Sequence, residues 1–269
     1  MEVARLRYIQ SAHEPPELRN PDTLARYFIP TLERWRCRWL GREQLVRRRA
    51  NPFYYYLVAR TKYYDEVLLG AIRSDIQQII NVGSGSDTRA YRFVDVMNRK
   101  GVRVLECDQP EAIYAKQRMA QQLGLFDHVE YLPLQLNEDG CPELEHRLAE
   151  TRAKSLVLME GVSPYVEESA FCRFLSLLAK KLPAGSRIAY DFKVGGVDDD
   201  FGRVDRTQRP FRLPKATGEV AAFHARHGHL LEHMELSSEL SARLLPSLTE
   251  LGITLFSEDG LVQLMIDSA

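Results

Sequence analysis

Ile79-Ile80-Asn81-Val82-Gly83-Ser84-Gly85-Ser86-Asp87-Thr88-Arg89-Ala90-Tyr91 is the stretch that decides the fold. An apolar run ends at Val82, a Gly83-Ser84-Gly85 turn follows, and Asp87-Thr88 can start a helix. That order reads as strand, glycine turn and helix N-terminus. Asp108 stands 25 residues beyond Gly83, just past a second apolar run at 102–105. In a doubly wound sheet, an acidic side chain there is placed to hold a nucleoside ribose. A nucleoside-bearing cofactor is therefore expected. Ser86 stands where a dinucleotide fingerprint has its third glycine, which argues against a dinucleotide.

Outward from this stretch, short apolar runs at 76–82, 102–106, 128–134, 155–159 and 186–192 alternate with amphipathic stretches at 87–98, 110–123, 143–152 and 167–181. Five such repeats predict a mostly parallel sheet covered by helices. Further strands are expected at 229–236 and 261–266, and helices at 219–228 and 238–245. Before the glycine turn, 15–21 reads as a linker, and 22–49 and 53–73 as helices. The first of these helices is dense in arginine and is read as a solvated face, with an anionic partner as the alternative. Residues 193–218, rich in Gly, Asp, Arg and Pro, interrupt the rhythm as a long loop or lid.

The 269 residues suit one α/β domain with a lid, and 45% hydrophobic content allows a sizeable core. A formal net charge of −1 gives no global field for nucleic acid or an anionic membrane. No long apolar run suggests a membrane span, and the N-terminus does not resemble a signal peptide. A cytoplasmic protein with neither nucleic-acid nor membrane partners is expected. Cys37, Cys107, Cys141 and Cys172 are scattered, as expected of idle reduced thiols, and no metal site is expected.

Several ordered motifs resemble the leucine carboxyl methyltransferase-like family of S-adenosylmethionine (SAM) enzymes, in its bacterial branch acting on polyketide-type small molecules. They are Ala59-Arg60-Thr61-Lys62-Tyr63-Tyr64-Asp65, the run Asn81 to Arg89, Glu106-Cys107-Asp108-Gln109-Pro110, Met159-Glu160-Gly161 with Tyr165, and Glu232-His233-Met234 through Arg243-Leu244-Leu245-Pro246. The resemblance runs from about residue 53 to the C-terminus. It implies the Rossmann-like, doubly wound, seven-stranded α/β sheet of class I methyltransferases, mostly parallel with an antiparallel edge strand. Residues 1–73 then form an N-terminal helical cap, and 74–269 the SAM-binding domain with a lid at about 193–228. The family's Asp-Leu after the third strand is Gln135-Leu136 here, a departure that leaves a carbonyl to accept from the adenine.

By resemblance, SAM is the cofactor, held by Arg60, Gly83, Gly85, Asp108, Gln109, Gln135, Leu136 and Glu160. Arg60 would pair with the methionine carboxylate, and Glu160 would face the amino group and sulfonium. The bland alternatives are a surface ion pair of Arg60 with Asp65 or Glu66, and a capping role for Glu160. Asp108 could otherwise cap the helix at Pro110. No catalytic residue is fixed. Tyr165, His224 and His227 are candidates, beside His229 and His233, and a base is needed only for a hydroxyl acceptor. Arg203, Arg206 and Arg209, in a series with Arg212, could collect an anionic acceptor, or could be a solvated loop balanced by Asp198, Asp199, Asp200 and Asp205. The expected activity is O-methylation of a carboxylate or hydroxyl on a small natural-product acceptor, in secondary metabolite biosynthesis. The alternatives are a protein C-terminal carboxyl methyltransferase, a nicotinamide-dependent oxidoreductase, or a module that binds SAM without catalysis. Oligomeric state stays open.

Overall fold

The apolar runs become the strands of one sheet in a computed structural model. It describes residues 2–124, 126–136, 141–196 and 210–267, without the side chains of 40–48. In chain order the strands are β1 (Gln78–Val82), β2 (Arg103–Asp108), β3 (Val129–Pro133), β4 (Ser155–Met159), β5 (Arg187–Val194), β6 (Arg212–Leu213), β7 (His229–Leu236) and β8 (Asp259–Ile266). Their spatial order is β3-β2-β1-β4-β5-β8-β7, with β6 pairing β5 off this path. The first five lie parallel in register, whereas β8 runs antiparallel to both β5 and β7. The expected mostly parallel sheet is thus present. Its antiparallel strand is one place in from the edge, and the two residues of β6 add an eighth strand beside Lys193 and Val194.

Helices cover both faces because the central strands are apolar on both. Ile79, Val104, Leu156, Leu158 and Ala189 join one core, with the helices Glu2–His13 and Pro52–Arg73. Ile80, Val82, Leu105, Val157, Ile188 and Tyr190 join the other, with the helices Pro142–Glu150 and Glu168–Lys181. Successive strand side chains point to opposite faces, which divides each strand between the two cores.

Helix Pro52–Arg73 carries the densest part of the first core. It begins where Asn51 accepts the Phe53 N–H at 3.0 Å and Pro52 occupies the first turn. Its buried side chains include Tyr54, Tyr55, Tyr56, Tyr63 and Tyr64. Helix Glu2–His13 falls within the expected helical cap, although the sequence sets no bounds of its own for it. Val3, Leu6, Tyr8 and Ile9 do not line one side of it, so no helical period announces it.

Candidate functional site

At the carboxyl ends of β1, β4 and β5 lies a cavity of about 820 Å³. In open α/β sheets ligands gather at this edge, where strand order reverses. β1 sits between β2 and β4, so the glycine turn that follows it opens into the cavity.

Gly83 has φ +66° and Gly85 φ +44°, left-handed values that L side chains rarely adopt. A Cβ on Gly83 would lie 2.3 Å from Val162 Cγ2, so the turn closes against the loop after β4. A Cβ on Gly85 would meet only Gly83 O at 3.8 Å, which leaves its outer side open. The turn is pinned beneath. Ser84 N–H donates to Cys107 O at 2.9 Å, and the Lys116 ammonium reaches Ser84 O at 3.2 Å and Glu106 Oε2 at 2.6 Å. Asp87 closes it by accepting the Arg89 N–H at 2.8 Å, where a helix of four residues begins.

Asp108, at the end of β2, accepts the Gly85 N–H at 2.6 Å and the Gln109 N–H at 2.7 Å, one on each carboxylate oxygen. Each oxygen keeps a second lone pair. Asp108, Gln109, Gln135 and Leu136 are not among the residues that line the cavity. Gln109 and Gln135 are exposed, and Leu136 is half-buried against the core.

Behind the glycine turn, acids and arginines form a buried network. Glu160 follows β4 and receives Arg60 Nε at 3.2 Å, Arg89 Nη1 at 2.8 Å, and Arg7 Nη2 from the N-terminal helix. Arg60 also donates to Asp191 Oδ2 at 3.1 Å. Asp191 Oδ1 accepts from the Tyr64 hydroxyl at 3.0 Å and from the Gly161 N–H at 2.7 Å. Arg89 spans Asp65 at 2.9 Å and Asp87 at 2.8 Å, and Arg92 takes Asp65 at 2.7 Å. Burial alone would raise the Glu160 carboxyl, but Arg7, Arg89 and Arg60 outweigh it and hold the group down at about 2. Asp87 is likewise held below the carboxylate range, burial being outweighed chiefly by Arg89.

Four expected cofactor residues, Arg60, Gly83, Gly85 and Glu160, line the cavity together. Arg60 is buried on Glu160 and Asp191 and is not a surface partner of Asp65, which Arg89 and Arg92 take. Tyr165 is 63% exposed and borders the cavity. His224 and His227 do not line this cavity. His224 Nε2 meets the Tyr190 hydroxyl at 3.2 Å, on the face of β5 opposite Asp191, and burial pushes its imidazole down to about 3. His227 Nδ1 meets Ser176 Oγ at 2.9 Å. Arg203, Arg206 and Arg209 lie outside the described residues, whereas Arg212 is half-buried beside Phe211.

The cavity also has lining residues that the sequence did not single out: Arg7, Phe53, Asp191, Lys193, Phe256, Glu258 and Asp259. Lys193 Nζ stands 2.8 Å from Asp259 Oδ1 and 3.3 Å from Glu258 Oε2. Burial, and then Asp191, push the Asp259 carboxyl up against the pull of Lys193. The one legible signal was an Asp at position 191 inside the apolar run of β5, since a charge is rarely buried without a partner. Six carboxylates (Glu2, Asp87, Glu160, Asp191, Glu258, Asp259) and three basic groups (Arg7, Arg60, Lys193) line the cavity. Its field therefore favours a ligand with net positive charge.

The leucine carboxyl methyltransferase profile matches residues 1–179. A relative from Mycobacterium ulcerans, provisionally named an S-adenosyl-L-methionine-dependent methyltransferase, is 32% identical over 161 residues, 58% of this chain and 51% of its own. A Streptomyces coelicolor protein with the same provisional designation is 28% identical over 231 residues, covering 84% of this chain and 80% of its own. The chain thus spans about half the length of the first relative and most of the second. Among solved structures, a methyltransferase from Galdieria sulphuraria, named provisionally for sarcosine and dimethylglycine, aligns with TM-score 0.53 at 13% identity. It covers 80% of this chain and 88% of its own. A SAM-dependent methyltransferase from Mesorhizobium loti aligns with TM-score 0.50 at 16% identity, covering 77% and 97%. At these identities the structural likeness speaks for the fold alone. The profile match, over well more than half of the residues, decides the family: the chain belongs to the leucine carboxyl methyltransferases.

Proposed function

We propose that the chain is a SAM-dependent methyltransferase that transfers the methyl group to an oxygen of a small-molecule acceptor. The observation that carries this reading is the acid-rich cavity at the glycine turn. SAM bears an ammonium, a sulfonium and one carboxylate, and is a net cation, whereas the pyrophosphate of a nicotinamide cofactor is anionic. The residues present fit SAM. Glu160 and Asp87 can face its ammonium, Arg60 and Arg7 its carboxylate, and the free lone pairs of Asp108 its ribose hydroxyls. When bound, SAM supplies an electrophilic methyl group on a sulfonium.

The chain then has to hold donor and acceptor in line and exclude water. Helix Glu2–His13 covers the cavity from one side through Val3, Ala4, Leu6 and Arg7. Phe53, Phe256, Pro164 and Tyr165 offer apolar and aromatic surface toward the acceptor. Asp259 is the acid best tuned to take a proton from a hydroxyl acceptor, because its carboxyl is pushed up while Lys193 stays beside it. A carboxylate acceptor would need no base, and Lys193 offers it a cation in the same lining.

Calorimetric titration of the protein and of Asp108→Ala with SAM, S-adenosylhomocysteine and NAD tests the reading. Micromolar binding of the first two, lost in Asp108→Ala and absent for NAD, is the expected result. No SAM or S-adenosylhomocysteine binding, or binding of NAD in their place, would overturn it.

A further inference from the structure

Helix Thr31–Arg49 presents an apolar stripe to solvent. Leu32, Trp35 and Trp39 are 69%, 60% and 66% exposed, and the two indole rings lie 6.1 Å apart. Their spacing places them on one side of the helix. The opposite side is anchored in the protein. Cys37 is buried, its carbonyl meets His13 Nε2 at 3.0 Å, and Glu33 pairs with Arg5 at 3.3 Å. The stripe therefore points straight away from the body of the molecule. Arg36 and Arg38 are exposed beside it. The helix holds seven arginines and two glutamates, a net charge of +5 in a chain whose net charge is −1.

We infer that this helix docks the protein on an anionic lipid bilayer, lying in the interface plane with Leu32, Trp35 and Trp39 among the headgroups. Three observations select a bilayer. The apolar surface is a convex ridge, which a fluid interface accepts without a matching groove. Tryptophan is a side chain favoured at the headgroup level, and Trp and Leu flanked by exposed arginines are the combination that settles in that plane. A second copy docked stripe to stripe would bring two such +5 helices together, whereas an anionic leaflet attracts the exposed Arg36 and Arg38 that flank the stripe. The sequence reading of a solvated face overlooked that Trp35 and Trp39 are the exposed residues.

The chain has two tryptophans, both in this stripe, so its intrinsic indole emission reports on it alone. The intact protein is mixed with phosphatidylcholine vesicles, with phosphatidylglycerol-containing vesicles, and with soluble polyaspartate. Expected are a blue shift and co-flotation with the phosphatidylglycerol vesicles only, reversed by high salt. Brominated acyl chains should quench at a shallow depth, roughly 5–10 Å into the boundary. Arg36→Ala/Arg38→Ala, which keeps both indoles, should lower partitioning at least about tenfold. Trp35→Ser/Trp39→Ser should abolish flotation with an unchanged circular dichroism spectrum. No shift and no flotation would overturn the proposal. So would an equal shift with polyaspartate, which would point to an acidic protein, or a dimer in sedimentation that Trp39→Ser dissolves.

Discussion

Arg7→Met tests whether the N-terminal helix is tied to the site by charge. Arg7 is 5% exposed, donates to Glu160, and stands 3.6 Å from Asp22. Methionine keeps most of the stem's packing and removes both contacts. Glu160 still holds Arg60 and Arg89, and Asp22 still accepts Thr88 Oγ1 at 2.6 Å, so neither carboxylate is orphaned. The loss is then that of one hydrogen bond to a charged group, about 2 kcal/mol, and not that of an isolated buried charge. Read as local opening, it should speed hydrogen exchange of the Glu2–His13 amides roughly thirtyfold, with the β1 and β4 amides unchanged. Arg5→Met is the control. Its pair with Glu33 is partly exposed and should move the same amides by less than about threefold. Acid titration gives a second reading. A carboxyl held at about 2, against an ordinary 4.5, stabilises the fold fully above 4.5 and loses that contribution as pH falls toward 2. Removing Arg7 raises the folded value, so acid unfolding should begin at higher pH. Unchanged exchange in Glu2–His13, together with an unchanged acid midpoint, would refute the tie.

Gly83→Ala should cost about 1–3 kcal/mol in denaturant titration and weaken SAM binding, because its Cβ meets Val162 and its φ of +66° is strained. His224→Phe should leave methyl transfer per folded molecule unchanged, since the ring is on the far face of the sheet; a loss of turnover with intact stability would contradict this placement. The same imidazole, pushed down to about 3 by burial, stays neutral in the fold while the unfolded chain protonates near 6.5. Its contribution is full above 6.5 and falls as pH drops toward 3, so His224→Phe should flatten stability against pH across that window. Asp259→Asn should lower kcat on a hydroxyl acceptor by about 10²–10⁴-fold and spare KM; an unchanged kcat would remove Asp259 as base.

What could be read in the sequence followed from the periods that secondary structure imposes. β4 and β7 fall on the expected bounds, and the other long strands differ from theirs by one or two residues at one or both ends. The glycine turn was legible because its chemistry is local: two glycines at positive φ, an acid that caps, and an acid on the neighbouring strand. The partners of Arg60 were not. Asp65 and Glu66 are close in sequence, whereas Glu160 and Asp191 are 100 and 131 residues away, on two other elements that only the sheet order brings together. Arg7 was hidden for a different reason. Its helix lacks an apolar side, so although a helical cap was expected over 1–73, nothing marked this helix's bounds or its arginine as buried. His224 and His227 looked promising as titratable groups near a lid, but strand alternation puts Tyr190 and its histidine neighbour away from Asp191.

The place of β8 in the sheet bears on how the chain is made. β5 pairs with β8 along seven registered residues, from Arg187 opposite Met265 to Lys193 opposite Asp259. About 65 residues separate the end of β5 from the start of β8. At roughly 5–20 residues per second of synthesis, the open side of β5 waits several seconds for its neighbour. During that interval Ile188, Tyr190 and Phe192 belong to an unpaired apolar edge that can recruit another strand. β7 is made earlier, but its place is beyond β8, so it cannot close that edge in its final position. A nascent chain stalled before residue 259 is therefore the form most in need of a chaperone.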